Sequence, residues 1–359
     1  MEITEILVDQ NGFPAEMFQV LDPEGNVVHQ NLLDLVSKEQ LVDFYKWMVK
    51  IRIADRRAIN LQRTGQMGTY PSVYGQEACQ VGSGLGLEKE DWLVPTFRET
   101  GTMWCFGVPL YQTLLYWMGN ETGSKMPEDV NCLPIAITVG GHLPHAMGIA
   151  WANKRQNKPG AVLCSFGDGA TSEGDFHAAL NFAGQIQTAN VFFCQNNGFA
   201  ISTPRSIQTA AKSIAQKAFA YGVKAIQVDG NDVVAVYLAV KQALKEAKEN
   251  HTPVLIEAVT YRLGDHTTVD NSKLYRADDE VTEMQRREPI ARLKKYIEAT
   301  GLWDEAKEAQ LLEECKKGVD EIAEKALTHA KLDPKNMFTM MYAEMTPALQ
   351  KQHDEFLKQ

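Results

Sequence analysis

The stretch SFGDGATSEGDFHAALNFAGQIQTANVFFCQNNGFAISTP at residues 165–204 carries the pattern that predicts the fold. An apolar run typical of a strand, at 161–166, leads into Asp168, and a second, at 191–195, leads into Asn196 and Asn197. A helical segment lies between them. The pattern predicts one β-α-β unit whose polar side chains emerge at the ends of two parallel strands. In open α/β sheets this edge is where ligands bind.

The two turn motifs indicate a ligand site only when they are taken together. Gly167-Asp168-Gly169 and Asn196-Asn197 are 26 residues apart, and either alone is more often an ordinary turn. Together, at two strand ends, they supply a carboxylate and an amide oxygen, which are hard ligands that suit Mg²⁺ beside substrate phosphates. The glycines let backbone N–H groups approach a phosphate closely. The sequence therefore predicts a site for a phosphate and a divalent cation.

Composition narrows the class of protein. The chain has 359 residues, 44% of them hydrophobic, and a formal net charge of −10, which disfavours nucleic acid and anionic membranes as partners. Six cysteines without a CxxC pair indicate free thiols in a reducing compartment. The acidic N-terminal stretch resembles neither a signal nor a transit peptide, and no apolar run approaches the ~18–20 residues of a membrane span. We therefore expect a cytoplasmic protein.

The hydrophobic pattern predicts three regions. Residues 1–37 read as an irregular arm, 38–300 as an α/β domain and 301–359 as a helical extension. Ser37 is expected to cap a long helix that ends near residue 65. From 135 to 260 strands alternate with helices, including a strand at 135–140 and a helix at 210–222, which predicts a parallel sheet covered on both faces. A polar loop at 261–290 and charged helices near 305–330 and 344–358 complete the chain.

One glycine-rich string, VGSGLGLEKED at 81–91, invites a nucleotide-binding interpretation. No predicted strand precedes it, so the strand–GxGxxG–helix unit of a nicotinamide dehydrogenase is missing. Close packing of a helix through small residues is the better explanation.

The motif pair resembles the signature of thiamine diphosphate enzymes, and the wider chain resembles one family of them. The runs RTGQMGTYPSVYGQEA at 63–78 and YAEMTPALQKQ at 342–352 are similar to the alpha subunits of the decarboxylating component of 2-oxo acid dehydrogenase complexes. The resemblance implies the thiamine-diphosphate-binding fold, an α/β fold whose parallel sheet has helices on both faces, with helical extensions at both ends. It also implies thiamine diphosphate and Mg²⁺ as cofactors.

The family's partners and substrate follow from the same resemblance. It implies a beta subunit, in an α₂β₂ heterotetramer, and a lipoyl-bearing acyltransferase component that receives the acyl group. Pyruvate is the leading substrate; a branched-chain 2-oxo acid such as 2-oxoisovalerate, or acetoin, is the alternative.

The resemblance also implies a set of site residues. Asp168, Asn197 and the carbonyl of Phe199 would hold the metal, and Gly167, Gly169 and Ala170 would lie against the diphosphate. Arg98 matches an arginine that grips the diphosphate, whereas Phe97 replaces the family's tyrosine and cannot donate its hydrogen bond. Ile137 and Val139 match positions that contact the aminopyrimidine ring.

Four other positions leave alternatives open. A lone histidine in a polar loop is usually structural, but His266 matches a histidine that reaches cofactor and substrate, and Asp265 beside it should favour the charged imidazolium. His142 is a candidate catalytic residue, with a capping or packing role equally compatible, and His177 fits a subunit contact better than the site. Thr267 occupies the place of a serine that is phosphorylated in some relatives.

One expected group is missing. The chemistry of thiamine diphosphate needs a carboxylate near the aminopyrimidine, and in the family a glutamate of the beta subunit supplies it. The chain therefore resembles half of an active site. The alternative of a different class is a non-catalytic assembly subunit that binds Mg²⁺ and phosphate.

Overall fold

The core of the molecule is a five-stranded parallel sheet. The computed structural model describes residues 2–8, 17–329 and 333–358 of the chain, without the side chain of Thr4. The sheet has the strand order β1-β2-β3-β7-β6, and a two-stranded antiparallel ribbon, β4-β5, follows β3. The strands are β1 (Trp92–Val94), β2 (Val162–Gly167), β3 (Asn190–Asn196), β4 (Phe199–Ala200), β5 (Thr203–Pro204), β6 (Lys224–Asp229) and β7 (Val254–Val259).

Helices cover both faces of the sheet and extend from its ends. They are α1 (Gln30–Leu33), α2 (Lys38–Arg63), α3 (Glu77–Gly86), α4 (Thr100–Phe106), α5 (Leu110–Trp117), α6 (Leu143–Arg155), α7 (Gly174–Ile186), α8 (Arg205–Gln208), α9 (Val233–Asn250), α10 (Asp278–Gln285), α11 (Pro289–Ala299), α12 (Glu305–His329), α13 (Asn336–Thr339) and α14 (Pro347–Phe356). Short 3₁₀ turns lie at Ile3–Glu5, Glu121–Ser124, Asp168–Ser172, Ala215–Tyr221 and Ser272–Leu274.

The two faces of the sheet have separate hydrophobic cores because strand side chains alternate in direction. Phe193 of β3 packs into the core that contains α2, α3 and α9, whereas its neighbour Phe192 packs into the core that contains α6 and α7. Both rings are fully buried. The predicted α/β architecture, with a parallel sheet between two helical layers, is confirmed.

Capping and small residues explain two of the confirmed helices. The Ser37 hydroxyl accepts from the backbone N–H of Gln40, whose side chain returns to the Ser37 N–H, so α2 begins with a full capping box. In α3, a Cβ added to Gly82 would lie 2.6 Å from Cγ1 of Val236 on α9. The glycine string therefore serves close helix packing, as expected.

Two predicted elements are wrong. The run 135–140 is not a strand: its contact with the β1 edge is a single β-bridge, from Ala136 to Thr96, instead of a continuous ladder. The predicted helix at 210–222 is only the 3₁₀ turn Ala215–Tyr221. The loop at 261–290 also contains helix α10.

The predicted N-terminal arm is tied to the sheet where the structure describes it; residues 9–16 lie outside the described part. Val8 forms a bridge with Ala225 and Phe18 with Val228, both on β6. The carboxylate of Asp232 accepts from the backbone N–H groups of Val20 and Leu21, both at 2.7 Å.

All six cysteines are free thiols, five of them buried. Of the helices in the described ranges, none combines the length and the apolar character needed to cross a bilayer.

Candidate functional site

A cleft of about 450 Å³ opens at the carboxyl edge of the sheet, within the size range of small-molecule sites. Its walls come from the ends of β1, β2, β3 and β7 and from the loops that follow them. Every residue that the sequence analysis placed in the site lines this one cleft: Phe97, Arg98, Ile137, Val139, His142, Gly167, Asp168, Gly169, Ala170, Asn197, Phe199 and His266.

Asp168 lies directly after β2 and is 1% exposed. Its Oδ2 accepts a hydrogen bond of 2.5 Å from the Nε2 of Gln208 on α8. Burial raises the pKa of the Asp168 carboxyl, and the bond from Gln208 and the charge of Arg262 partly offset that rise. A bound divalent cation would favour the carboxylate much more strongly than these two groups do.

The two asparagines after β3 have different surroundings. Asn196 donates to the buried carboxylate of Glu257 at 2.8 Å and its Oδ1 accepts from the Gly198 N–H at 3.2 Å, so it is a core and turn amide. Asn197 lies in the cleft, donates to Gln76 at 3.2 Å and turns its Oδ1 toward the Phe199 N–H at 3.3 Å. Asn197 thus contacts the Phe199 backbone through its side chain and the Asp168 carboxyl through its own backbone.

The glycines of the first motif have separate uses. A Cβ added to Gly167 would meet nothing within 4 Å, so the backbone there borders open space. A Cβ added to Gly169 would lie 2.8 Å from Cβ of Ala200 on β4. Gly167 therefore allows a ligand to approach the backbone, whereas Gly169 lets the β4-β5 ribbon approach it.

Two buried arginines converge on His266. The Nδ1 of His266 lies 3.1 Å from Nη2 of Arg98 and 3.2 Å from Nη1 of Arg262. Arg98 also donates to the Ser72 carbonyl, and Arg262 donates to the Ile201 carbonyl at 2.8 Å. Across the described ranges neither guanidinium forms an ion pair with a carboxylate. Two cations at one cleft wall without a direct counter-charge suit an anionic ligand.

The arginines also affect the protonation state of His266. Burial, followed by the charges of Arg98 and Arg262, lowers the pKa of this imidazole to about 3. The expectation of a charged imidazolium is therefore wrong. Asp265 does not oppose the arginines, because its carboxylate accepts from the N–H and hydroxyl of Ser272. With Nδ1 accepting from both guanidiniums, the proton of the neutral ring is on Nε2.

Phe97 lies where the family's tyrosine was expected. Its ring centroid is 5.9 Å from that of His266, in an edge-to-face arrangement, and 5.4 Å from Cζ of Arg98. The hydroxyl of the neighbouring Thr96 does not take the place of a tyrosine hydroxyl, because it donates to the Ala136 carbonyl at 3.2 Å. Phe97 thus packs against the cationic groups.

The remaining histidines differ in exposure. His142 is buried in the cleft wall, and its Nε2 donates to the Ser165 carbonyl at 2.7 Å. His145 is exposed, and the Nδ1 of His177 pairs with the Tyr221 hydroxyl at 2.7 Å, outside the cleft. Ile137 and Val139 remain 52% and 47% exposed at the cleft mouth, because the segment that carries them is not part of the sheet.

Sequence reasoning missed four residues of this site. Arg262 and Gln208 contact predicted site residues directly, and Glu99 and Gln195 line the cleft wall behind Arg98. Arg262 could have been found, because it follows the end of β7 as Arg98 follows β1. The others carry no local sequence signal, since their partners are distant in the chain.

In the described ranges, no group of three or more His, Cys, Asp or Glu side chains is arranged so that it could hold a metal ion. The expected set has a single carboxylate, which is compatible with a cation that is held mainly by ligand phosphates.

Comparison with known proteins identifies the family of the chain. Residues 45–335 match the family model described as "Dehydrogenase E1 component". The chain is 40% identical over 340 residues to the pyruvate dehydrogenase E1 component subunit alpha of Staphylococcus aureus, covering 94% of this chain and 92% of that protein. The corresponding protein of Staphylococcus epidermidis is 39% identical over the same lengths. Because the family model matches most of the chain, the chain belongs to the dehydrogenase E1 component family.

Proposed function

We propose that the chain is the alpha subunit of a thiamine-diphosphate-dependent pyruvate dehydrogenase. Together with a beta subunit it would decarboxylate pyruvate and pass the acetyl group to the lipoyl group of an acyltransferase component. The observation that carries the proposal is the single cleft in which Arg98, Arg262, His266, Asp168 and Asn197 meet at the carboxyl edge of the sheet.

The residues present fit the cofactor. Dehydrogenase E1 components depend on thiamine diphosphate, which supplies the carbanion chemistry when it is bound. Arg98 would bind its diphosphate, with Arg262 as the second cation of the same wall. We assign Mg²⁺ to Asp168, Asn197 and the Phe199 carbonyl, with the cofactor's phosphates as further ligands. Gly167 leaves space for a phosphate at the backbone, beside Gly169 and Ala170.

The cleft residues also suggest how the site acts on its substrate. A neutral His266 presents an Nε2–H donor while its Nδ1 is fixed by the two arginines, so it can donate to an oxygen of the cofactor or of the 2-oxo acid. His142, whose Nε2 is engaged by Ser165, is proposed as a second contact at the opposite wall. Ile137 and Val139 would pack against the apolar ring of the cofactor.

The incomplete parts of the cleft support a partner subunit. Ile137 and Val139 are large apolar side chains left open at its mouth, and such exposed surface is often covered by another chain. We propose an α₂β₂ heterotetramer in which the beta subunit closes the cleft and supplies the acid group. Residues 38–300 would form the cofactor-binding domain, with 1–37 as arm and 301–359 as extension.

The proposal is tested by turnover of the chain reconstituted with its beta subunit, thiamine diphosphate and Mg²⁺, with an artificial electron acceptor. We expect a large preference for pyruvate over 2-oxoisovalerate. Preference for the branched acid, or activity with acetoin alone, would keep the cofactor assignments and change the substrate. An assembled complex without turnover of any of them would favour a non-catalytic assembly subunit.

A further inference from the structure

Behind Arg98 lies a carboxyl group that the proposed function does not use. Glu99 is 2% exposed and lines the cleft. Its Oε1 accepts from Nε2 of Gln195 at 2.7 Å, and its Oε2 accepts from the backbone N–H of Arg98 at 3.2 Å. In the described part of the chain no cation lies within ion-pair distance of it. A buried carboxylate held only by neutral donors is costly, unless it becomes protonated.

A chain of amides fixes which oxygen could carry a proton. The Oε1 of Gln80 accepts from the backbone N–H groups of Gly101 and Thr102 at 3.1 and 3.2 Å. Its Nε2 must therefore donate to Oε1 of Gln195, which it does at 2.8 Å. The Nε2 of Gln195 is then the donor to Glu99, so Oε1 of Glu99 is always an acceptor. Oε2 receives the longer bond, from the Arg98 N–H at 3.2 Å, and is therefore the oxygen that we expect to carry a proton.

The electrostatic surroundings of Glu99 are simple. The titratable groups that face it are Arg98 on its own segment and the thiols of Cys79 on α3 and Cys164 on β2. Burial raises the pKa of both thiols far above neutrality, which leaves them uncharged. Arg98 is thus the charge that favours the ionised form of Glu99.

We propose that Glu99 is a proton-accepting residue of the cofactor site, which takes up a proton on Oε2 when the diphosphate binds Arg98. The proton comes from solvent, and no other bond is made or broken. An anion at Arg98 opposes the one charge that stabilises the Glu99 carboxylate, so binding must favour its protonated form. Burial already raises the pKa of Glu99 to about 7, close to the range in which such uptake is measurable. The inference rests on the proposed function.

The uptake is measured by titration calorimetry of thiamine diphosphate binding to the full chain assembled with its beta subunit. Titrations at pH 7.5 in excess Mg²⁺ are run in buffers of different ionisation enthalpy, which gives the protons bound per cofactor. Wild-type enzyme should take up more than Glu99→Gln, by about half a proton. From pH 7 to 8.5 the affinity of the wild type should fall more steeply than that of the variant.

Three further variants are needed to interpret the measured proton uptake. Asp91→Asn removes a different buried carboxyl, at the opposite end of β1, and should keep the wild-type uptake. His266→Gln removes the other group at Arg98, so its contribution can be subtracted. If Glu99→Gln does not fold, Glu99→Asp keeps a carboxyl in the wall and should retain the uptake.

The outcomes are separable. Wild-type enzyme that does not bind thiamine diphosphate would overturn the proposed function itself. Wild-type enzyme that binds the cofactor, with Glu99→Gln taking up the same number of protons, would overturn only the role of Glu99.

Discussion

At the scale of single residues, the cleft works through partners that hold its charged groups in place. Gln208 is the clearest case, because it bonds the carboxylate of Asp168 from a four-residue helix. Groups that orient a metal ligand typically affect metal affinity by 10–100-fold. The Gln208 contact therefore matters even though the side chain need not touch the cofactor.

Replacement of Gln208 by Ala should weaken Mg²⁺-dependent cofactor binding by roughly 10–100-fold, because Asp168 would lose the donor that fixes its rotamer. Titration of Mg²⁺ at fixed thiamine diphosphate measures the effect. Gln185→Ala, at an exposed glutamine on α7, is the control and should bind as the wild type does. Equal Mg²⁺ affinity in both variants would remove Gln208 from the site.

The lowered pKa of His266 implies that the stability of the chain depends on pH. Its pKa is lowered in the folded chain to about 3, against about 6.5 in an unfolded chain. As the pH falls from 6.5 toward 3, the unfolded chain takes up a proton that the folded chain does not, so this residue costs stability in that window. The cofactor-free His266→Gln variant should therefore lose less stability than the wild type between pH 7.5 and pH 5.

Urea unfolding at the two pH values measures this difference. His329→Gln, at an exposed histidine at the end of α12, should follow the wild type. An identical loss of stability in wild type and His266→Gln would mean that the imidazole is not held neutral by the arginines.

At the scale of elements, the hydrophobic pattern of the sequence predicted the buried strands correctly. The runs that became β2, β3, β6 and β7 are apolar because both faces of a parallel sheet are buried. The run 135–140 has the same composition but pairs with the sheet at Ala136 only. An apolar run can therefore lie beside a sheet edge without forming a strand, and composition alone does not distinguish the two outcomes.

The site residues likewise fall into those that the sequence predicts and those that it does not. Asp168, Asn197 and Arg98 were predictable because each follows a strand or a turn motif in the sequence. The Gln80–Gln195 bond joins residues 115 positions apart, and the state of His266 depends on Arg98, 168 positions away. No local pattern carries such contacts.

The packing of α3 on α9 gives a prediction at this scale. A methyl group at Gly82 would lie 2.6 Å from Val236 Cγ1 and 2.9 Å from the backbone N of Tyr237, so Gly82→Ala should destabilise the chain by about 1–3 kcal/mol. Gly148, inside α6, has nothing within 4 Å of an added Cβ. Gly148→Ala should instead stabilise by about 0.5–1 kcal/mol. Thermal unfolding of both variants checks the opposite signs.

At the scale of the whole molecule, large aromatic side chains are exposed on two neighbouring helices. Phe182 on α7 is 51% exposed and Trp151 on α6 is 43% exposed, on two helices that pack side by side. Aromatic side chains are enriched among the few interface positions whose loss costs about 2 kcal/mol or more, about 30-fold in affinity.

Phe182→Asp should therefore weaken assembly with the beta subunit by at least about 30-fold while the alpha chain stays folded. Sedimentation of the mixed subunits measures assembly, and circular dichroism checks the fold. Leu312→Asp, at a 43% exposed leucine on α12, is the control. Normal assembly of the Phe182 variant would place the interface elsewhere.

We expect the cleft to hold thiamine diphosphate through a cation bound to Asp168. The most direct test is the affinity of the assembled enzyme for thiamine diphosphate, with and without Mg²⁺, in wild type, Asp168→Asn and the exposed control Asp278→Asn. We predict tight, Mg²⁺-dependent binding by wild type and control, and loss of that dependence in Asp168→Asn. Equally tight, Mg²⁺-dependent binding by Asp168→Asn would contradict it.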